Sequence, residues 1–440
     1  MTEMTVGFLL IGALVALVLL GMHIAVALFS VAIAGVWLLR DNFDLAMRLL
    51  SISVYNGIAD YLFATIPLFV LMGLIVSISN IGRDTFQVAE ALLRRLRGGL
   101  GIATIAANTV FAAVTGVSIA SAAVFTKVAV PEMTRYGYRP AFAAGTVAGS
   151  SVLGMLIPPS LLLIIYGVLA EQSIGNLFVA GIIPGILLAL GFAGMIVALT
   201  FIAPRFVFVD GAPRVAGAEG EADMGAAEIA RKLLPIVVLV LLVLGGLYSG
   251  YFTPTEAGGV GAFGALVIAL FKRSLDRRRI WRVLKDTGMV SVTILILLIA
   301  ASFYSRMLAI AGIPSAIGDL VSASGLGAYG FLALYVLVVL LMGMILDSSS
   351  ILLIMVPIAA PIAQSLGFDL IQFGLVTVLA VEIGLLTPPF GISVFTVHST
   401  LGDRDVGLEA IFAGVAPFIG VMALVTLLVA VFPSLSTALL

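Results

Sequence analysis

No cysteine occurs in the 440 residues, which excludes disulfides, thiolate metal sites and a thiol nucleophile. Histidine stands only at His23 and His398, too few for a histidine-built metal cluster. Charge is scarce as well. Asp, Glu, Lys and Arg make up 10% of the chain, against about a quarter in an ordinary soluble protein. A formal net charge of −1 leaves no basic footprint, so no nucleic-acid partner is expected. A Gly-x-x-x-x-Gly-Lys-Ser/Thr phosphate loop is missing, so the chain is not expected to hydrolyse nucleotide. With no nucleophile–base set either, an enzyme is not expected. The N-terminus lacks the basic region of a secretory signal, so its first apolar stretch is expected to stay as a span.

What is abundant is apolar surface: 62% of the residues, with a mean hydropathy of +1.25. Apolar stretches of about 20 residues recur, and in lipid such stretches form helices. The expected fold is an all-α polytopic membrane protein. Spans are predicted at 4–21, 23–40, 61–80, 141–171 and 177–203, and again at 233–250, 256–271, 287–305, 371–401 and 411–432. Residues 205–232, rich in Gly, Ala and acids, read as a solvated cytoplasmic linker. Arg83–Arg97 reads as an amphipathic helix in the interface. Lys272–Lys285 is taken as its second-half partner, anchored at the anionic inner leaflet. Thr253-Pro254-Thr255-Glu256 reads as a helix start.

The chain repeats itself. Its only two Pro-Pro steps, Pro158-Pro159 and Pro388-Pro389, lie 230 positions apart. The same offset joins Ser118 to Ser348, Pro131 to Pro361, Gly137-Tyr138 to Gly367-Phe368 and Gly154 to Gly384. This predicts two repeats, residues 1–204 and 233–440. Each has five crossings, one of them a helix broken at Pro-Pro (141–171 and 371–401). Segments 100–131 and 328–361 carry polar clusters at their centres, Thr115–Ser121 and Asp347–Ser350. A re-entrant hairpin would bury such a turn in protein, where irregular backbone is tolerated; hairpins are favoured over long tilted helices.

An odd number of crossings per repeat inverts the second half relative to the first. With that layout, 19 of the 22 Lys and Arg fall on one side, leaving Arg40, Arg48 and Arg306 on the other. No Lys or Arg occurs between Arg306 and Arg404. The positive-inside rule makes the first side cytoplasmic and puts both termini outside.

Inverted repeats with discontinuous helices point to a secondary transporter. A broken helix leaves unpaired carbonyls on one half, suited to a small cation, and unpaired N–H groups on the other, suited to a carboxylate. Each Pro-Pro step removes two backbone donors in succession. The candidate sodium ligands are Gly116, Ser118, Ser121, Gly154, Pro158, Asp347, Ser348, Ser349, Thr387 and Pro388, mostly neutral oxygens of the kind a hard cation takes. The candidate substrate contacts are Pro159, Ser160, Ser350, Pro389 and Gly391. Asp347 has two open readings, helix N-cap and cation or proton coupling. Glu382 is a second intramembrane acid, with a coupling role and a local pairing role both open. His398 reads as a packed or interfacial side chain.

These residues resemble the large membrane subunit of tripartite ATP-independent periplasmic (TRAP) transporters, DctM-like members of the ion-transporter superfamily. The similarity runs over nearly the whole chain. It is carried by Ile66-Pro67-Leu68-Phe69, Val130-Pro131-Glu132-Met133, Leu156-Ile157-Pro158-Pro159-Ser160, Gly343-Met344 with Asp347, and Leu386-Thr387-Pro388-Pro389-Phe390-Gly391. Where members of the family often have Ser-Gly-Ser-Ser at the first hairpin tip, this chain has Thr115-Gly116-Val117-Ser118. That leaves position 117 a backbone role only. The resemblance implies a permease in a bacterial inner membrane, working with a small four-helix membrane subunit and a periplasmic substrate-binding protein. It implies sodium-driven import of an organic anion, of carboxylate or sialic-acid type, by an elevator motion, with no cofactor beyond Na⁺. The alternative is a stand-alone sodium/dicarboxylate symporter of the same superfamily. A channel or scaffold would give no reason for matched breaks.

Overall fold

A computed structural model describes residues 3–213, 224–402 and 406–440. Residues 214–223 of the linker, and Arg404 of the charge pattern, lie outside the described residues. The first half contains α1 (Glu3–Leu19), α2 (Ile24–Arg40), α3 (Phe43–Ala59), α4 (Thr65–Ile78), α5 (Ile81–Leu93), α6 (Gly99–Thr115), α7 (Ser118–Arg135), α8 (Pro140–Ser151), α9 (Leu153–Leu156), α10 (Leu161–Leu169), α11 (Ile174–Ile202) and α12 (Pro204–Val207). The second contains α13 (Ala226–Val240), α14 (Gly246–Tyr248), α15 (Pro254–Phe271), α16 (Arg277–Ile310), α17 (Ile313–Ser324), α18 (Gly327–Gly343), α19 (Ser348–Ser365), α20 (Leu370–Leu386), α21 (Ile392–Leu401), α22 (Leu408–Val431) and α23 (Ser434–Thr437).

Helix starts follow their local chemistry. Thr253 and Glu256 form a reciprocal capping box ahead of α15, as that tetrapeptide predicts. Asp276 caps α16 by accepting from the Arg279 N–H at 2.7 Å. That backbone hydrogen bond, first among its neighbours, holds the Asp276 carboxyl below the usual carboxylate range.

Among the described residues, seven helices are long and apolar enough to cross a membrane, or eight with the bent pair Pro140–Leu156 and Leu161–Leu169 counted as one span. Sequence reading expects ten crossings. One of the seven is α19, an arm of an expected hairpin, so three of the ten expected crossings fall short, for a geometric reason. Helices α1 and α2 have 17 residues each, about 25 Å at 1.5 Å per residue, slightly under the ~30 Å of hydrocarbon. The second broken span is divided into helices of 17 and 10 residues.

Helix bounds recur at the repeat spacing: α2 with α15, α7 with α19, α8–α9 with α20, α12 with α23. Packing partners exchange between the halves. Helix α7 packs on α21 while α19 packs on α10, and α4 packs on α15 while α16 packs on α2. Two assignments need correction. The counterpart of α5 is α17, not Lys272–Lys285. That basic stretch instead runs directly into α16, one continuous 34-residue helix, and corresponds to α3. Neither α3 nor α17 is apolar enough to stand out in the sequence. The linker is also structured at its margins. Val209 N–H and Arg139 N–H bond to Gly137 and Val207 carbonyls, both at 2.9 Å, and α13 begins at Ala226.

Helix α5 is held to the second half by charge. Lys272, at the end of α15, pairs with Asp84, and Lys232 on α13 donates to Gln87 at 3.0 Å. Together these fasten one face of the amphipathic helix, while α6 packs along it.

Candidate functional site

The segments expected to form hairpins are paired helices joined by short turns, α6–α7 and α18–α19, and both Pro-Pro steps interrupt helices. Each Pro-Pro peptide bond is cis. The broken spans meet: α9 and α10 both pack on α20. The Tyr166 hydroxyl of α10 donates to the Leu370 carbonyl at 2.5 Å.

The first tip is seated on the first break. Gly116 turns the chain at φ +62°, a conformation that glycine adopts without penalty. The Leu161 N–H, one of the donors left free at the start of α10, bonds to the Gly116 carbonyl at 3.3 Å. An added Cβ on Gly116 would lie 2.4 Å from the Pro159 carbonyl oxygen. A Cβ added on Gly154 would stand in ordinary contact with the Val117 and Ser118 backbone, at 3.5–3.6 Å. Ser160 closes the break: it accepts from the Leu163 N–H at 3.3 Å and donates to the Met155 carbonyl on the opposite half-helix. Pro158, Pro159 and Ser160 are all buried. The Ser118 hydroxyl is buried without a partner.

Behind the tip runs a buried polar thread. The Ser121 hydroxyl donates to Asn108 Oδ1 (2.5 Å), Asn108 Nδ2 donates to the Ser150 hydroxyl (2.5 Å), and Ser150 donates to the Thr146 carbonyl (2.6 Å). It joins both hairpin arms to α8. Fully satisfied buried networks of this kind fix one arrangement. Asn108 and Ser150 were not sequence candidates; an amide alone in the apolar run 100–114 was the available signal.

The second tip differs. Asp347 caps α19, accepting from the Ser350 N–H at 3.2 Å and from the Ser350 hydroxyl. The N-cap reading of Asp347 therefore holds, and Ser350 is committed to it. Ser348, buried, donates to Glu382 Oε1 at 3.2 Å, while Glu382 Oε2 has no partner. Ser349 is half-buried. Thr387, half-buried at the end of α20, donates to the Ile383 carbonyl at 2.7 Å. Pro388, Pro389 and Phe390 are exposed, and Gly391 is buried with φ +50°. Among the described residues no hydrogen bond joins Asp347–Ser350 to Thr387–Gly391. The arm is instead fixed farther back: Gly343 and Gly384 allow α18 and α20 to meet backbone to backbone, each added Cβ reaching the other's Cα within 2.7 Å.

The two halves thus carry unequal sites at equivalent positions. Where Ser348 meets Glu382, the repeat counterpart of that glutamate in the first half is Val152, and the Ser118 hydroxyl stays unpaired. No group of three or more His, Cys, Asp or Glu able to hold a metal occurs among the described residues. A cation here would be held by neutral oxygens with at most one carboxylate.

Comparison with known proteins agrees with this architecture. The large permease protein DctM of a C4-dicarboxylate TRAP transporter from Pseudomonas aeruginosa is 34% identical over 395 residues, 90% of either chain. The large permease SiaM of a sialic acid TRAP transporter from Vibrio cholerae is 29% identical over 414 residues, covering 94% of this chain and 93% of that one. The ectoine permease TeaC from Halomonas elongata is 29% identical over 429 residues, 97% of each. In fold, the chain is similar to the YdaH transporter of Alcanivorax borkumensis, with a TM-score of 0.63 and 16% identity over 90% of both chains. Residues 11–435 match the family described as the tripartite ATP-independent periplasmic transporter, DctM component. The chain belongs to that family, the large permease subunits of TRAP transporters.

Proposed function

We propose that this permease imports an organic anion, of carboxylate or sialic-acid type, driven by sodium and delivered by a periplasmic binding protein, with a small membrane subunit as its second partner. The named relatives serve C4-dicarboxylates, sialic acid and ectoine, compounds that all carry a carboxylate. The reading rests above all on one observation: a hairpin tip seated on a broken helix, with the Ser118 hydroxyl buried and unpaired beside it. Oxygen atoms gathered there suit a dehydrated monovalent cation. In this reading the halves are inverted about the membrane plane in a bacterial inner membrane, both termini outside. Sodium binds at the tips through Gly116, Ser118, Gly154, Ser348 and Thr387. The carboxylate docks near Ser160 and the second break. The hairpins and broken spans then cross as an elevator against α1–α4 and α13–α16.

The test is uptake of succinate and N-acetylneuraminate by proteoliposomes holding the chain, its small subunit and the binding protein. Uptake is expected only with an inward sodium gradient. Uptake by the chain alone would support the stand-alone symporter instead. Ser348→Ala is expected to raise the sodium concentration for half-maximal uptake severalfold, and Asp347→Ala to do so through loss of the cap, worth about 1 kcal/mol to α19. Unchanged sodium dependence in both variants would remove these side chains from the ion site.

A further inference from the structure

A second polar site lies away from both breaks, between the helices assigned to the scaffold and the body that carries the breaks. It is a cavity of about 370 Å³, within the size range of small-molecule pockets. Two polar stripes line it. On α3 and its C-cap, Ser53, Asn56 and Asp60 follow one another at helical spacing; on α16, Ser302, Ser305 and Arg306 do the same. The facing wall is apolar, made of Val168 and Leu169 from α10 and Pro357 from α19.

The Arg306 guanidinium is half-buried and has no hydrogen-bond or ion-pair partner among the described residues. The Ser53 hydroxyl, 2% exposed, is also unpartnered. Two carboxylates share the lining, and both are exposed. Asp60 is engaged in capping the Leu62 N–H at 2.8 Å; Glu171 stands just past the end of α10. The inner part of the cavity thus offers donors, and its rim offers acids. Partly desolvated guanidinium groups pair well with a carboxylate, which accepts two parallel N–H bonds from the planar fork.

We infer that this cavity is a receiving site for an organic carboxylate, held by Arg306 with Ser53, Asn56, Ser302 and Ser305 taking its hydroxyl or second acidic groups. The substrate class rests on the function proposed above; the site itself rests on the cavity and its unpaired donors. The wall formed by α10 leads to Ser160: Val168 lies eight residues along, about 12 Å at 1.5 Å per residue. A carboxylate released at Arg306 thus has one short helix to travel to the first break. The rim acids turn away anions that approach without being handed over, which matches delivery by a binding protein.

The chain has no cysteine, so one introduced thiol reports on the site. Ser302→Cys, with Ser305→Cys as the second position, is labelled in proteoliposomes of the assembled transporter. The reagents are sulfonatoethyl and trimethylammonioethyl methanethiosulfonate, each rate normalised to a free thiol. The anionic reagent is expected to be favoured by about tenfold, the effect of one nearby charge on reagents of opposite sign. Arg306→Gln should abolish the preference. Succinate or N-acetylneuraminate should slow labelling with Arg306 present and have no effect in Arg306→Gln. Preference for the cationic reagent would assign the cavity to a cation drawn by Asp60 and Glu171, and would overturn the inference. So would indifference to Arg306, or no protection by either compound. Wild-type uptake tests the transporter reading separately, so the two failures are distinguishable.

Discussion

Glu382→Gln is expected to raise the sodium concentration for half-maximal uptake severalfold, up to about thirtyfold, while leaving the fold intact. Glu382 is 2% exposed in the penultimate turn of α20, with one oxygen bonded to Ser348 and the other to nothing. Holding an ionised carboxylate inside a membrane helix costs ~2.5–3.5 kcal/mol. A single hydroxyl donor offsets only about 1.5–3 kcal/mol of that. The remaining penalty is relieved when a cation settles against the free oxygen, so binding there is strengthened by a similar amount. At 1.4 kcal/mol per decade, a remainder of roughly 0–2 kcal/mol is at most about one and a half decades of affinity. Glutamine keeps the shape and the Ser348 bond and loses the charge, so it separates charge from packing. The readout is the sodium concentration for half-maximal uptake, measured beside Glu382→Asp. A glutamine variant with wild-type sodium dependence would make this carboxylate a structural member of the hairpin contact.

Gly116→Ala is expected to cost uptake at least about tenfold, with substrate delivery and expression less affected. Two independent costs fall on the same atom. The backbone at φ +62° is left-handed, about 1 kcal/mol worse for alanine than for glycine. The new methyl would also stand 2.4 Å from the Pro159 oxygen, a backbone atom that cannot rotate away. The tip must therefore lift off the break, breaking the Leu161–Gly116 hydrogen bond. Displacements of about 1 Å at a reacting or binding constellation can cost about a hundredfold. Gly12→Ala in α1, where an added Cβ meets nothing within 4 Å, is the control and should transport normally. Equal rates in both variants would show that the seated tip is not needed for transport.

Much of this was legible in the sequence because the signals were local or periodic. Apolar runs gave the membrane class, the Pro-Pro steps at one offset gave the breaks, and the polar clusters marked the turns between α6 and α7 and between α18 and α19. Helices α3 and α17 were not legible, because neither carries an apolar run of spanning length. Their absence shifted the match for α5 onto a basic stretch that is the beginning of α16. The unequal breaks were hidden too. Pro158-Pro159 and Pro388-Pro389 read alike, yet the first is buried under a hairpin tip and the second is exposed. That difference comes from where α7 and α19 begin in space, a tertiary matter. The Ser121–Asn108–Ser150 thread and the Arg306 cavity belong to the same class. Each is made of single polar residues that are unremarkable until separate helices bring them together.

The exchanged packing has a bearing on how the polypeptide is made. Helix α7 rests on α21, and α10 rests on α19, so each repeat completes surfaces that its twin leaves open. During synthesis the earlier repeat must wait in the bilayer with those surfaces against lipid until the later one emerges. Co-expressed fragments divided between α12 and α13 should therefore assemble with each other, whereas either fragment produced by itself should be degraded.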